Sequence, residues 1–287
     1  MKAIMITDKS DIDICRGNIV RLTSVRAERS EALEYHLRTA AKIICSGTKT
    51  IGDPERDTAG IRSNFALLSE GTAGIPVGIH IYAAEILFDG GIYSVAEKLY
   101  PRSLPDPATA VYLKNTAADK AFDEFSKNIP ELTFSYAGGF SEACEDVYDS
   151  RADAVILPCG GDPHGMSERT RSLVNTYGLK IIRRCAVPAA DGENLYFALC
   201  ASDVYLDKNR LDRELELSVS FGGEGVLRRS LELCGLIGAE LICIRSDSRS
   251  GGDISASFRC RPGGVSALIC FFAVEADHFD INGLINI

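Results

Sequence analysis

Two short stretches hold residues whose types and spacing suit chemistry. Gly222-Gly223-Glu224-Gly225 runs into a helical pattern that begins Val226-Leu227. Gly223, Gly225, Val226 and Leu227 therefore offer backbone amides at a helix start, where free N–H groups and the helix dipole favour a carboxylate. The alternative is a turn that needs glycine only for its backbone angles. Asp162-Pro163-His164 sets an acid beside an imidazole, the pairing that general acid–base catalysis uses. The alternative there is two solvated loop side chains. The ten cysteines form no Cys-x-x-Cys pair, and His36, His80, His164 and His278 are far apart, so neither a metal site nor a cofactor is expected. Cys200, Cys243 and Cys270 lie in apolar runs and read as buried free thiols.

The 287 residues are 46% hydrophobic and 25% charged, an ordinary globular composition for two or three domains. A net charge of −9 argues against nonspecific binding to nucleic acid or membrane. An anionic small molecule would bind only where Arg and Lys are concentrated. Met1 to Ile6 is too short an apolar run for a secretory leader, and no stretch approaches the ~20 apolar residues of a membrane span. The expectation is a cytoplasmic protein.

Three kinds of element pattern follow one another. Residues 12–46 read as one long helix, with Ile19, Leu22, Leu33, Leu37, Ala40 and Ile44 at roughly helical spacing. A second helix runs from the loop ending at Pro54 to Leu68, and a third from Val77 to Leu99. Pro101, Pro105 and Pro107 mark a boundary. Beyond it strands alternate with helices: strand 110–113, helix 116–125, strand 132–136, helix 142–148, strand 154–157, helix 168–177, strands 179–182 and 195–200. This alternation means an α/β domain. After a polar linker at 204–211, the last part reads as strand 215–221, helix 225–236 and strands 240–245, 254–260 and 267–274, a small β-α-β-β sandwich.

Particular residues carry a resemblance. Val111-Tyr112-Leu113, Phe140-Ser141-Glu142-Ala143-Cys144-Glu145-Asp146-Val147 and Ala152-Asp153-Ala154-Val155-Ile156-Leu157-Pro158 are similar to prephenate dehydratase, as is Gly178-Leu179-Lys180-Ile181. The tail resembles an ACT regulatory domain, with Gly225-Val226-Leu227 where such domains carry Gly-Ala-Leu and Ala267 to Asp277 as its last strand. The first hundred residues resemble a helical chorismate mutase module. There Asp53-Pro54-Glu55-Arg56-Asp57 fits Asp-x-x-Arg-Glu, and Arg16 fits the first-helix arginine. Lys42 lies near the lysine that meets the ether oxygen. Together the three resemble a degenerate member of the bifunctional chorismate mutase–prephenate dehydratase family. The resemblance implies domains 1–103 (all-helical), 104–207 (a reduced α/β lobe) and 208–287 (ACT-like), an α/β with α+β fold.

The same resemblance says what is missing. Prephenate dehydration needs a proton donor for the leaving hydroxyl and hydrogen-bond donors for the carboxylates. The family's glycine-rich turn becomes Lys114-Asn115-Thr116-Ala117-Ala118-Asp119-Lys120, its Glu-Asn-Ser becomes Gly160-Gly161-Asp162, and Leu195-Tyr196-Phe197 replaces Thr-Arg-Phe. The stretch is also too short for the second lobe. Chorismate rearrangement needs only a clamp on two carboxylates and a cation at the ether oxygen, work that suits arginine. Arg16, Lys42, Asp53 and Arg56 are the candidates for it, but Leu33 stands at the second arginine position, and Asp89 and Tyr93 replace Ser and Gln. The alternative for these cations is a solvated helix face. The resemblance thus implies a regulatory or ligand-binding homologue in aromatic amino-acid (phenylalanine) biosynthesis. It would bind a pathway intermediate or an amino acid as a homodimer. The alternatives are retained chorismate mutase activity and a structural dimerisation partner of an intact enzyme.

Overall fold

The computed structural model describes residues 31–45, 54–69, 76–89, 104–189, 192–204, 214–223, 225–247 and 253–286. Its first elements are α1 (Glu31–Ile44), α2 (Pro54–Ser69) and α3 (Ile79–Asp89). They fall within the three helical patterns, whose extensions over 12–30 and 90–99 lie outside the described residues. On α1, Leu37, Ala40, Ala41 and Ile44 recur at i, i+3, i+4 and i+7 and are all buried, while Lys42 on the opposite side is exposed.

The α/β segment follows its pattern closely: β1 (Thr109–Leu113), α4 (Thr116–Ser126), β2 (Thr133–Ala137), α5 (Phe140–Tyr148), β3 (Ala154–Gly160), α6 (Glu168–Thr176), β4 (Lys180–Pro188) and β5 (Asn194–Ala201). Then come β6 (Leu215–Gly222), α7 (Val226–Ile237), β7 (Glu240–Asp247), β8 (Asp253–Cys260), α8 (Pro262–Glu275) and β9 (His278–Asn286). Among the described residues all the strands belong to one sheet, in the order β2-β1-β3-β5-β4-β9-β6-β8-β7. β1 pairs in parallel with β2 and β3, and β5 runs antiparallel to both β3 and β4. A parallel pairing of β4 with β9, with Ile181 opposite Gly283, joins the two halves of the sheet.

The last half corrects the expected β-α-β-β sandwich. Ala267–Val274 is not a strand but the body of α8, and β9 follows it. The segment is β-α-β-β-α-β with strand order β9-β6-β8-β7, the ferredoxin-like arrangement. The misreading has a physical cause. α8 is apolar all round because it is covered on both sides, by the sheet and by α2 and α3. A continuous apolar run has no period from which to tell helix from strand. Pro262 in its first turn is the start signal for a helix.

Strand β6 shows how the sheet sorts its faces. Leu215, Leu217, Val219 and Phe221 are buried in the core shared with α8, while Glu216, Ser218 and Ser220 alternate onto the other face. α1, α2 and α3 contribute to this same core. Two smaller cores lie on the two faces of the α/β half.

A polar contact is built into the helical layer. His80 of α3 is fully buried between the rings of Phe65 and Phe271, and its Nε2 lies 3.0 Å from Glu275 Oε1. Arg229 of α7 meets the same oxygen at 2.6 Å, and Arg62 of α2 donates from Nε to the Ala273 carbonyl at 2.6 Å. A carboxylate accepts, so His80 carries its proton on Nε2. Burial holds the imidazole below its ordinary 6.5, against the raising effect of Glu275. As pH falls past that value the unfolded chain takes up the proton first, so stability is lost with acidification. The loss from this group between pH 7.5 and pH 5.5 is at most about 1.4 kcal/mol. Urea unfolding at the two pH values checks it: His80→Gln is expected to lose less stability than the parent, and equal losses would contradict the assignment.

Candidate functional site

A cleft of about 570 Å³ lies between α6 and the helix-free face of the ferredoxin-like sheet. Both walls are polar. On α6, Glu168, Arg171, Ser172, Asn175 and Thr176 line it. Their spacing of i, i+3, i+4, i+7 and i+8 is one helix face. The helix starts there because the Ser167 hydroxyl accepts from the Thr170 amide at 3.2 Å, while Thr170 and Val174 are buried. Opposite stand Ser218 of β6 and Ser255 and Ser257 of β8, with Asn282 of β9. Ser218 is the register partner of Ser257, and Ser220 that of Ser255. Ser220 itself donates to Asn282 Oδ1 at 3.3 Å.

Three arginines reach the cleft, each held differently. Arg184 of β4 is nearly buried and donates from Nη1 to Glu216 Oε1 at 3.0 Å and to the Pro163 carbonyl at 3.3 Å. Its Nε is buried without a hydrogen-bond partner among the described residues. Arg171 donates to the Met166 carbonyl at 3.0 Å. Arg245 of β7 lies 3.5 Å from Asp162 Oδ2. Glu216, 3% exposed, also meets His164 Nδ1 at 3.1 Å. One buried carboxylate thus ties β6 to both β4 and the loop over the cleft.

The sequence-derived candidates fall elsewhere. Arg16 and Asp53 lie outside the described residues, and Arg56 is in the first turn of α2 with its side chain outside them. Lys42 is exposed and does not line the cleft. Gly223 and Gly225 have φ of +125° and +76°, a region that favours glycine. A Cβ on Gly223 would lie 2.7 Å from the Val226 side chain, and Val226 and Leu227 pack into the core. Glycine is what this turn geometry requires at both positions. Asp162 and His164 do not form an acid–base pair. Asp162 Oδ1 accepts from the His164 backbone amide at 2.9 Å, shaping the loop, while the imidazole faces Glu216.

The positions matching the dehydratase turn are self-satisfied. Asn115 Oδ1 accepts from the amides of Ala117 at 3.1 Å and Ala118 at 2.9 Å, so the donors at the start of α4 are already engaged. The described cysteines are free. Burial pushes the Cys159 thiol up to about 11, and those of Cys45 and Cys185 to about 12. They are protonated near neutrality and are poor nucleophiles. Among the described residues no cluster of His, Cys, Asp and Glu is placed to hold a metal ion, and no helix is long and apolar enough to cross a membrane.

No family profile matches the chain. Among curated proteins, Elongator complex protein 2 of Homo sapiens is 28% identical over 125 residues. That alignment covers 40% of this chain and spans 15% of the relative's length. Among solved structures, prephenate dehydratase from Streptococcus mutans superposes with a TM-score of 0.48 at 14% identity, covering 62% of this chain and 98% of that one. Prephenate dehydratase in complex with L-Phe from Arthrobacter aurescens gives 0.46 at 14% identity, covering 62% and 90%. The quorum-quenching acylase GqqA gives 0.45 at 15% identity, covering 62% and 95%.

Proposed function

We propose that this chain is a non-catalytic binding protein that holds a small anionic metabolite in the cleft between α6 and the sheet. The observation that carries this reading is the meeting of two polar faces. Elements that pack together normally bury apolar surface against each other. Here an arginine-bearing helix face and a row of serines stand apart around a space of ligand size. Arginine's fixed fork of donors suits carboxylate and phosphate.

The sequence resemblance supplies the biological setting, a regulatory homologue in aromatic amino-acid biosynthesis built from modules 1–103, 104–207 and 208–287. We take it to act in the cytoplasm as a homodimer. The capping role of Asn115 supports the loss of dehydratase chemistry, because the amides that would meet a substrate carboxylate are occupied.

The test joins turnover to binding. Pure protein is offered prephenate and chorismate for turnover, and these together with phenylalanine, gluconate and glucose 6-phosphate for binding, so that both product formation and thermal stabilisation are measured. The expected result is no turnover above the uncatalysed rate and stabilisation by at least one anion. Arg171→Met should weaken that binding about tenfold or more, as loss of a charge-assisted hydrogen bond does. Lys42→Met should leave it unchanged. Turnover of prephenate or chorismate, or binding indifferent to Arg171→Met, would refute the reading.

A further inference from the structure

The lining of the cleft says more about its occupant than that it is an anion. We infer that the ligand is a small, hydroxyl-rich molecule carrying a single anionic group, a sugar acid or a sugar monophosphate in chemical class, rather than an aromatic carboxylate. This rests on the reading of the cleft as an anion site.

The charges set the first limit. Arg171, Arg184 and Arg245 face the space, but Glu216 engages Arg184, Asp162 stands beside Arg245, and Glu168 lies on the same helix face as Arg171. The three cations are nearly balanced by three carboxylates. A ligand with several negative groups would meet those carboxylates as like charges. A single anionic head is matched at Arg171, whose described hydrogen bond is to a neutral carbonyl.

The rest of the wall sets the second. Of the residues lining the cleft only Met166, Val174, Ile181, Cys243 and Ala256 are apolar, and Phe, Tyr and Trp are absent from it. An aromatic ring placed there would strip water from hydroxyls and amides without replacing their hydrogen bonds. Serine hydroxyls both donate and accept, as sugar hydroxyls do. Ser218 and Ser257 face each other across neighbouring strands, a spacing of about 5 Å between side chains. Ser255 continues the row two residues on, roughly 7 Å along the strand. Ser172, Asn175 and Thr176 answer from the helix. A flat, extended polyol fits between two such rows, and its acid group reaches Arg171.

Calorimetric titration of the full chain tests this with five probes: gluconate, glucose 6-phosphate, glucose, benzoate and inorganic phosphate. At least one of the two hydroxylated anions is expected to bind tenfold or more tightly than glucose, benzoate and inorganic phosphate. Which of the two binds better tells whether the head is a carboxylate or a phosphate. Ser255→Ala and Ser257→Ala each remove a hydroxyl that lines the cleft, and because Ser257 is buried the folding of both variants is checked by unfolding midpoint. Each should weaken the hydroxylated anion severalfold and leave benzoate unaffected. Benzoate binding as tightly as either hydroxylated anion, or serine variants with parental affinity, would overturn the inference while leaving the anion site standing. If no probe binds in a manner sensitive to Arg171→Met, the inference and the proposed function fail together.

Discussion

Replacing Glu216 by alanine is expected to remove about 3–5 kcal/mol of unfolding free energy, the usual consequence of breaking a buried ion pair from one side. Glu216 is a carboxylate on a strand otherwise packed by Leu215, Leu217, Val219 and Phe221, and it is 3% exposed. Without it Arg184 keeps a buried charge whose remaining described acceptor is the Pro163 carbonyl, and His164 loses its anchor. Urea denaturation measures the loss. A double variant, Glu216→Leu with Arg184→Met, removes both charges together and should recover much of it, because apolar replacements of a buried pair are commonly neutral or better. A loss below about 1 kcal/mol in the single variant would mean that solvent reaches the pair and that it does not fix the cleft wall. The same variant should also lose ligand binding, since the loop of Asp162 to Gly165 is held over the cleft through His164. Within that loop Asp162 packs tightly over Gly165, where a Cβ would overlap the Asp162 side chain.

Gly283→Val should also be damaging, for a different reason. At the junction of the two sheet halves β9 approaches β4 so closely that a Cβ at Gly283 would lie 2.7 Å from the Ile181 carbonyl oxygen and 3.0 Å from the Ile181 Cβ. Backbone cannot yield as a side-chain tip can. Overpacking of this kind costs about 1–3 kcal/mol. Because the crowded atoms are those that join the halves, unfolding should also lose its single transition, with the α/β half and the ferredoxin-like half melting at different temperatures. Gly235 gives the contrast. It lies within α7 with nothing within 4 Å of its would-be Cβ, so Gly235→Ala should be neutral or stabilising, by up to about 1 kcal/mol. Thermal unfolding followed by circular dichroism and by tyrosine fluorescence distinguishes the cases. Coincident, unshifted transitions in Gly283→Val would show that the junction tolerates a side chain.

How much of this was legible in the sequence depends on where each element sits. Elements with one wet face were readable. α6 and β6 fall where helical spacing and alternation put them, because a polar side imposes a period, while β1 and β3, covered on both faces, are legible as short apolar runs between turn signals. α8 was not readable as a helix, because it is covered on both sides and its run Ala267 to Val274 is apolar throughout. Missing it also hid β9, the strand that joins the two halves. The site was hidden by a different effect. Resemblance directs attention to residues a relative would use, and these are self-satisfied, as Asn115 is, exposed away from the cleft, as Lys42 is, or outside the described residues, as Arg16 and Asp53 are. Yet the cleft had a signature. Leu215-Glu216-Leu217-Ser218-Val219-Ser220-Phe221 and Ile254-Ser255-Ala256-Ser257-Phe258 put serine on alternate positions of two strands, and α6 carries a polar stripe at helical spacing. What no sequence pattern could supply is that these two faces meet, because that depends on the pairing of β4 with β9.

Whether the cleft is an anion site can be tested by one diffraction measurement, whatever the natural ligand is. Crystals soaked in sodium bromide, with data collected at the bromine absorption edge, locate a singly charged anion by its anomalous signal. The expected result is a peak between α6 and the sheet, within hydrogen-bond reach of the Arg171 guanidinium, that disappears in Arg171→Met crystals. Bromide peaks confined to the outer surface, with the Arg171 side of the cleft holding only water, would contradict it.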